Sequence, residues 1–302
     1  MPAARLTLLP PAGFDFWRTA FSHGWCSLPP FAFDPDRKIL ERTVSANDGT
    51  IAHCVLKRGA RGIAVEASAT RTLSPSARND ILRQLSTCLE FDYDLSSFYR
   101  VARRHPRYRW IARSGSGRML RAPTVFEDAL KTLCTTNCTW ALTTLMVTNM
   151  VRVAGRTNDQ THYAFPAPAD IAALGERRLR EVCKTGYRAP YIKELADRVA
   201  SGTLDVEQWR TTPMPTPDLA REIGSIKGMG PYAVGNMLRL LGRHDSLALD
   251  SWVRAQFSKL HKRGRKVSDK VIERHYDEFG EWRGLLFWLE MTRDWHDGKF
   301  RL

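Results

Sequence analysis

The stretch 223–254 constrains this chain more than any other part of its sequence. It holds the turn Lys-Gly-Met-Gly at 227–230, flanked on both sides by apolar residues at helical spacing. Gly228 and Gly230 can take positive φ and let a second backbone approach closely, and Pro231 suits the first turn of a helix. The pattern predicts a helix-hairpin-helix whose free amides could bind an anion such as a phosphate. An ordinary helical hairpin fits the same glycines, so the turn alone does not fix a function.

An acidic residue follows this hairpin. Asp250 comes directly after the apolar segment 247–249 and before a helix predicted at 251–260. Its ordinary role would be to cap that helix. The helix dipole also favours a negative charge there, and a carboxylate held beside DNA could stabilise positive charge on a deoxyribose as a base departs. Asp250 is therefore the candidate catalytic residue.

The charge of the chain favours a polyanionic partner. Its 302 residues include 46 Lys and Arg against 32 Asp and Glu, a formal net charge of +14. Such a balance points to nucleic acid rather than to an acidic small molecule. The sequence holds no apolar run long enough to span a bilayer and no secretory signal, so we expect an intracellular protein. In a bacterium it would lie in the cytoplasm or nucleoid.

The pattern of the chain predicts an α+β fold with a small antiparallel β-rich N-terminal domain at 1–90. Apolar and polar residues alternate, as in half-buried strands, over 38–44, 50–57 and 61–68. Asn-Asp-Gly at 47–49 is a turn signal between the first two strands. Residues 1–36 are aromatic and poorly periodic, so we expect an irregular segment packed on the sheet. Residues 91–302 should form an all-helical helix-hairpin-helix domain.

The hairpin and its aspartate resemble the helix-hairpin-helix DNA glycosylase superfamily, which includes 3-methyladenine DNA glycosylase II and 8-oxoguanine DNA glycosylase. Gly-x-Gly-Pro-Tyr-Ala at 228–233 and Leu-Asp-Ser-Trp at 249–252 carry the resemblance. It implies that Asp250 is the catalytic aspartate of the family. It also implies DNA contacts from the hairpin and the helix after it, at Lys227, Gly228, Gly230 and Tyr232.

Two further blocks resemble segments of 8-oxoguanine DNA glycosylase that enter the duplex. In the block 135–140, Asn137 matches an asparagine that fills the hole left by the extruded nucleotide. In Gly-Tyr-Arg-Ala at 186–189, Tyr187 matches an aromatic wedge, and Arg188 matches an arginine that touches the unpaired partner base. Such side chains offset the stacking that is lost when a base leaves the helix. Without the resemblance, a helix cap and simple packing would explain both blocks.

The resemblance also indicates the reaction type. Members that cleave the strand carry a lysine in the second hairpin helix, which attacks the sugar through a Schiff base. Tyr232 matches that position, and no lysine follows Gly230 within the helix. The resemblance therefore implies a monofunctional enzyme that uses water. A second arginine, which reads cytosine in 8-oxoguanine glycosylases, is replaced by Leu142 here.

We therefore expect a monofunctional glycosylase that excises alkylated purines of the 3-methyladenine type from duplex DNA in base excision repair. A cationic alkylated purine leaves readily and suits an aromatic pocket through cation–π attraction. The last predicted helix spans about 281–296. In the family the C-terminal helix closes the base pocket, so Trp288 and Trp282 are the candidate stacking rings. The alternatives are a monofunctional 8-oxoguanine-type glycosylase and a DNA-binding protein without catalysis.

No cofactor is expected for this chain. No cysteine follows Cys183 in the sequence, so the four-cysteine iron–sulfur loop of the endonuclease III branch is missing. Cys134 and Cys138 are one helical turn apart, but no second pair completes a tetrahedral metal site. The resemblance leaves room for a structural monovalent cation at the hairpin carbonyls of Ile226 and Met229. The expected partner is double-stranded DNA with a damaged base, bound by a monomer.

Overall fold

Five antiparallel strands form one sheet near the N terminus of the computed structural model, which describes residues 2–295. The strands are β1 (Ala3–Leu8), β2 (Phe31–Asp34), β3 (Ile39–Ser45), β4 (Ile51–Gly59) and β5 (Gly62–Ser68). Their order across the sheet is β1-β5-β4-β3-β2. In the middle of the sheet, Leu56 lies opposite Leu40 on one side and Val65 on the other, so apolar side chains share one face. An α+β fold with an N-terminal antiparallel sheet is confirmed.

The prediction for residues 1–36 was wrong in two places. The segment contains β1 and β2, which are the two edges of the sheet. Along β1 only Leu8 is buried, and β2 has four residues. β2 is too short to show alternation, whereas residues 4–8 of β1 do alternate apolar and polar side chains, a signal that was missed beside the irregular segment that follows. The three central strands, β3 to β5, are confirmed.

The rest of the described chain is mostly helical. The helices are α1 (Phe16–Ala20), α2 (Pro75–Cys88), α3 (Ser96–Arg104), α4 (Arg109–Ser114), α5 (Val125–Thr135), α6 (Trp140–Ala154), α7 (Pro168–Ala172), α8 (Gly175–Glu181), α9 (Ala189–Ala200), α10 (Thr216–Gly224), α11 (Pro231–Leu240), α12 (Ser251–His261), α13 (Asp269–Tyr276) and α14 (Arg283–Met291). The C-terminal helix was predicted to reach residue 296, which lies outside the described residues. Among residues 2–295, no helix is both long and apolar enough to cross a membrane.

Two clusters of buried apolar side chains position the hairpin. The first cluster contains side chains of the sheet and of helices α2, α5, α6, α9, α10 and α11. The second joins α3 and α4 to α12, α13 and α14. Helix α11 packs into the first cluster through Met237, and α12 packs into the second through Val253 and Phe257. Asp250 therefore lies where the two clusters meet. Because the first cluster spans both sides of residue 90, the domain boundary predicted there stays a prediction.

A buried group of charges ties the sheet to the helices. Arg42 on β3 donates to both carboxylate oxygens of Glu127 on α5, at 3.1 and 2.6 Å, and Lys131 donates to Glu127 at 2.7 Å. These three side chains, which we call the closed network, are at most 2% exposed. Burial opposes the charge of Arg42, but its acidic neighbours, chiefly the Glu127 carboxylate, together outweigh burial and raise the pKa of Arg42. Glu127 thus supplies an acidic partner to both cations of the closed network.

Candidate active site at the helix-hairpin-helix

The two hairpin glycines have different reasons to be glycine. Gly228 has φ +89°, and a Cβ there would lie 2.8 Å from the ring of Tyr191 and 3.0 Å from Leu133. Gly230 has φ −73°, so the expectation of positive φ was wrong for this residue. A Cβ on Gly230 would meet no atom of the described residues within 4 Å. Gly230 therefore leaves space on the outside of the protein, where another molecule could approach the backbone.

Gly230 is also the N-cap of α11. Its lack of a side chain means that it offers no capping hydrogen bond to the helix. Pro231 follows as the first helical residue. The amides of the first turn, at Tyr232 and Ala233, have no acceptor within the helix, as at any helix N terminus. The hairpin thus ends in free N–H groups and a positive helix dipole beside an open surface, which suits an anion.

Six of the predicted residues line one cavity of about 670 Å³, which we call the cleft. They are Asn137, Tyr187, Gly228, Gly230, Tyr232 and Asp250. The blocks that carry them are separated by up to about a hundred residues of chain, and the fold brings them together. Arg254, which the sequence did not single out, also lines the cleft and forms an ion pair with Asp269 at 2.7 Å.

Asp250 is half-buried at the start of α12. Its Oδ1 accepts a hydrogen bond from the amide of Val253 at 2.8 Å, so the predicted cap is present. Within residues 2–295, no Lys, Arg or His lies within ion-pairing distance of the carboxylate. The helix therefore fixes one carboxylate oxygen. No cation of the described residues neutralises the negative charge that Asp250 presents to the cleft. A cap and a catalytic role are compatible in this arrangement.

Asn137 and Tyr187 project at the rim of the cleft. Asn137 is exposed and has φ +50°, in the left-handed region that asparagine tolerates better than most residues. Tyr187 is 53% exposed, which is unusual for a large aromatic side chain. Both side chains stand where a bound duplex could meet them, and their roles in the duplex stay predictions.

Two of the residues predicted to contact DNA, Arg188 and Lys227, have protein partners in this structure. Arg188 is only 3% exposed, because its guanidinium donates to the carbonyl of Thr136 and lies 4.5 Å from the centre of the Tyr187 ring. In this structure it holds the loop before Asn137, and its contact with an unpaired base stays a prediction. Lys227 is exposed, but it lies outside the cleft lining and forms an ion pair with Glu194 at 2.8 Å.

A smaller cavity of about 130 Å³ shares Thr135 and Tyr232 with the cleft. We call it the inner pocket, and its larger side chains are His23, Trp25, Met119, Trp140, Tyr232, Arg239, Leu240, Trp288 and Trp295. Of the rings here, the sequence predicted Tyr232 as a DNA contact and Trp288 as a stacking ring. The guanidinium of Arg239 lies 4.0 Å from the centre of that ring, so a cation covers one face of Trp288. Arg239 could have been noticed in the sequence, because it is a charged residue within the mostly apolar helix α11.

Trp282, the other predicted ring, lines neither the cleft nor the inner pocket. It packs against Phe98 at 5.3 Å and His244 at 5.7 Å between ring centres. It lines a third cavity together with Tyr93 and His244, away from Asp250. Aromatic spacing along the C-terminal segment could not distinguish the side of the chain that faces the core from the side that faces the inner pocket.

One cluster of side chains has the composition of a metal site. Ligand atoms of His261, His275 and Glu290 lie within 4.8 Å of one another, in the second apolar cluster. The Glu290 carboxylate already accepts hydrogen bonds from Tyr276 at 2.5 Å and Tyr108 at 2.9 Å, and it pairs with Arg107. A metal would have to displace these partners. At the hairpin, the Ile226 carbonyl accepts from the Met229 amide at 3.0 Å, and the cation predicted there stays a prediction.

Comparison with known proteins agrees with this geometry. The chain is 24% identical over 216 residues to a probable N-glycosylase/DNA lyase of Methanothermobacter thermautotrophicus, covering 64% of this chain and 68% of that protein. It is 25% identical over 173 residues to a DNA-3-methyladenine glycosylase of Bacillus subtilis, covering 56% of each. The chain thus spans little more than half of the Bacillus protein.

Solved structures share the fold. A 3-methyladenine DNA-glycosylase from Archaeoglobus fulgidus superposes with a TM-score of 0.74 at 19% identity, covering 96% of this chain and 98% of that chain. A Clostridium acetobutylicum 8-oxoguanine glycosylase/lyase, solved with double-stranded DNA, superposes with a TM-score of 0.71 at 18% identity over 93% and 92%. Half of the chain, residues 130–281, matches the family model described as HhH-GPD superfamily base excision DNA repair protein. The chain therefore belongs to the HhH-GPD superfamily of base excision DNA repair proteins.

Proposed function

We propose that this protein is a monofunctional DNA glycosylase, which removes a damaged purine from duplex DNA by hydrolysis of the N-glycosidic bond. The observation that carries this proposal is the placement of Asp250. Its carboxylate is fixed by α12, lacks a cationic partner among residues 2–295, and lines the same cleft as the N terminus of α11. A DNA phosphate at the helix N terminus would place a neighbouring sugar near this carboxylate.

DNA binding in this proposal begins at the hairpin. Phosphates carry no base information, so the amides after Gly230 would hold the strand without regard to sequence. The formal net charge of +14 supports attraction to the duplex as a whole. The absence of protein atoms of the described chain near the Cβ position of Gly230 supports a close approach by the strand.

Tyr187 and Asn137 would support the extruded state of the damaged nucleotide. The exposed ring of Tyr187 can replace lost stacking, and Asn137 can fill the space that the nucleotide leaves. Arg188 acts as a positioning residue, since it fixes the carbonyl just before Asn137 and stacks on Tyr187. One buried arginine thus couples the two side chains that would enter the duplex.

The chemical step would be heterolytic. As the bond between sugar and base breaks, its electron pair goes to the base, and the sugar gains positive charge that Asp250 stabilises. Water then adds at the sugar carbon, loses a proton, and leaves an abasic site. Tyr232, which matches the family's lysine position, cannot form a Schiff base. One relative bears the name N-glycosylase/DNA lyase, so strand cleavage has to be tested directly.

A non-catalytic DNA-binding protein is the competing function. A carboxylate that faces DNA phosphates weakens binding through like-charge repulsion, so in a protein that only binds DNA Asp250 would lower the affinity without any benefit. In an enzyme the same charge lowers the barrier for base release, which offsets the lower affinity. The cleft therefore supports catalysis better than binding alone.

The variant Asp250→Asn tests the proposal. Asparagine caps helices as well as aspartate does, so the fold should be kept. We expect duplex binding to be equal or tighter, and base release to fall about 100-fold or more. The matched control is Asp218→Asn, which makes the same charge change on α10 outside the cleft and should behave like the wild type.

The readout is single-turnover release of hypoxanthine, 8-oxoguanine and 3-methyladenine from otherwise identical duplexes. Unchanged release by Asp250→Asn would overturn the catalytic assignment. Each product is also scored for strand breaks with and without alkali. Breaks that form without alkali would show that the enzyme is not monofunctional.

A further inference from the structure

We infer that Arg239 sets the base specificity of this site, so that the inner pocket takes a neutral purine with carbonyl acceptors, a 6-oxopurine, in preference to a cationic alkylated purine. The inference rests on the proposed function, since it concerns the base that is released. It reverses the preference for cationic purines that was expected from aromatic residues alone.

Arg239 lies between the cleft and the interior. It follows Tyr232 by two turns of α11, so both side chains lie on one face of the helix. Its side chain lines the inner pocket, and Tyr232 lines both the inner pocket and the cleft that contains Asp250. An extruded base whose sugar lies at Asp250 would therefore have Arg239 within the pocket beside it.

The partners of Arg239 are incomplete. The residue is 6% exposed, yet among residues 2–295 its guanidinium has one hydrogen bond, to Oδ1 of Asn236 at 3.3 Å, and no carboxylate within ion-pairing distance. A guanidinium carries five N–H donors. Leaving most of them unused in a buried place is costly unless a ligand supplies acceptors. Stacking on Trp288 uses the face of the group and leaves its N–H edge available.

Other buried arginines of this chain do not share this feature. Arg42 is held by Glu127, and Arg121 pairs with Asp92 at 2.6 Å. Arg118 donates to the carbonyls of Glu90 and Tyr93. Each of these arginines has partners that explain its burial. Arg239 instead faces a cavity, which points to an acceptor that arrives with a ligand.

The charge on Arg239 persists at neutral pH. Burial lowers the pKa of Arg239 to about 10, although the nearby Tyr232 and Asp250 oppose the shift. The group is therefore cationic under physiological conditions. A second cation brought into the same pocket would meet a like charge across a short distance in a poorly solvated place. A cationic 3-methyladenine base is disfavoured on this ground.

The same charge assists a neutral leaving base. When a cationic purine departs with the bond electrons it becomes neutral, whereas a neutral purine becomes an anion. Only the second develops negative charge that a guanidinium can stabilise. The planar fork of arginine also matches two adjacent acceptors, as on the O6 and N7 edge of a purine. Arg239 thus favours 6-oxopurines both in binding and in the transition state.

His23 completes a polar lining without adding charge. Its Nε2 bonds to the carbonyl of Leu120, which can only accept, so Nε2 carries the proton. Burial, with a contribution from Arg239, lowers the pKa of His23 to about 3, so the ring is neutral. Nδ1 is then an acceptor, of the kind that could receive an N–H of a 6-oxopurine. Arg239 thus gives the pocket a fixed cation and His23 adds a neutral acceptor, within walls that include Trp25 and Trp140.

The test compares two substrates in one set of variants. Duplexes that differ only in the lesion carry hypoxanthine, a neutral 6-oxopurine, or 3-methyladenine, a cation, and single-turnover rates of base release are measured for each. Because the cationic base also leaves more readily without an enzyme, each rate is divided by the uncatalysed rate of the same duplex, and we expect the wild type to show the larger enhancement for hypoxanthine. Arg239→Met should slow hypoxanthine release about tenfold or more while 3-methyladenine release stays the same or rises. Arg221→Gln, an exposed charge change on α10, is the matched control and should leave the ratio unchanged.

The ratio of the two rates separates specificity from stability. Equal losses for both substrates in Arg239→Met, or no loss for either, would overturn the inference. Arg239→Lys keeps the charge and should keep the preference for hypoxanthine at a lower rate, even if Arg239→Met does not fold. A preference that reverses in Arg239→Lys would also overturn it. If the wild type releases neither base while binding the duplex, the proposed function fails, which is a different outcome.

Discussion

Two buried arginines of this molecule have opposite surroundings. In the closed network, Arg42 donates to both oxygens of Glu127, and Lys131 completes the group. In the inner pocket, Arg239 has one hydrogen bond to a neighbouring side chain and otherwise faces a cavity. Both arginines are almost fully buried, and both stack on an aromatic ring, Phe31 or Trp288. The difference between them is whether the protein itself supplies the opposing charge.

That difference separates a structural role from a functional one. A buried charge with all its partners in place belongs to the fold, because removing one partner leaves the others uncompensated. A buried charge without a partner weakens the fold, and selection tolerates it where the missing partner is a ligand. The electrostatics of the closed network and of the inner pocket can therefore be distinguished by the acidic partners of each cation. Three sets of variants test this contrast.

The largest expected effect is on stability. Glu127→Ala leaves Arg42 and Lys131 as two buried charges without an acidic partner in the closed network, so we expect the free energy of unfolding to fall by about 3–5 kcal/mol. Arg239→Met removes a poorly compensated charge and should change it by less than about 1 kcal/mol, or increase it. Urea unfolding of the two variants and the wild type measures both. Similar losses in the two variants would remove the contrast between closed network and inner pocket.

A smaller effect is expected on the pH dependence of stability. The pKa of His23, about 3 in the folded protein, is below its usual value of 6.5 because of burial. Between these values the unfolded chain binds a proton that the folded chain does not, so stability is lost as the pH falls from 6.5 towards 3. At about 1.4 kcal/mol per pH unit, His23 should contribute a loss of about 2 kcal/mol by pH 5.

The variant His23→Gln isolates this contribution. Other buried groups titrate in the same range, so the informative quantity is the difference between variant and wild type, each referred to its own stability at pH 7. We expect the loss between pH 7 and pH 5 to be smaller by about 2 kcal/mol in the variant. Parallel pH profiles would mean that His23 is not held neutral in the inner pocket, and the account of its acceptor nitrogen would fail.

The sequence predicted those parts of the site that depend on local pattern. The hairpin, the cap at Asp250 and the three central strands follow from turn residues, capping chemistry and apolar periodicity, which act over a few residues. The inner pocket does not, because it forms where α11 meets the segment around His23, about two hundred residues away in the chain. For the same reason the sequence did not predict that Arg188 is buried. Its burial depends on a carbonyl at Thr136, which no local pattern reveals.

The smallest expected effects come from the two hairpin glycines, of which one is surrounded by protein and the other is open to a ligand. Gly228 is enclosed by Tyr191 and Leu133 at φ +89°, whereas Gly230 borders open space at φ −73°. Gly228→Ala should therefore lower the free energy of unfolding by about 1–2 kcal/mol, from the left-handed conformation and the crowding together. Gly230→Ala should change it by no more than about 0.5 kcal/mol, because a poorer cap and a less flexible unfolded chain oppose each other.

In DNA binding the order should reverse, so that Gly230→Ala has the larger effect and Gly228→Ala the smaller one. A methyl group on Gly230 projects into the space that a phosphate would approach, so Gly230→Ala should weaken duplex binding while the fold is kept. Binding is measured by fluorescence anisotropy of a labelled duplex at one fixed salt concentration, since phosphate contacts depend on salt. Gly228→Ala, compared well below its unfolding temperature, should bind more tightly than Gly230→Ala. If Gly230→Ala bound as well as the wild type, the open side of the hairpin would not be where the strand approaches, and Asp250 would lose the geometry that places a sugar beside it.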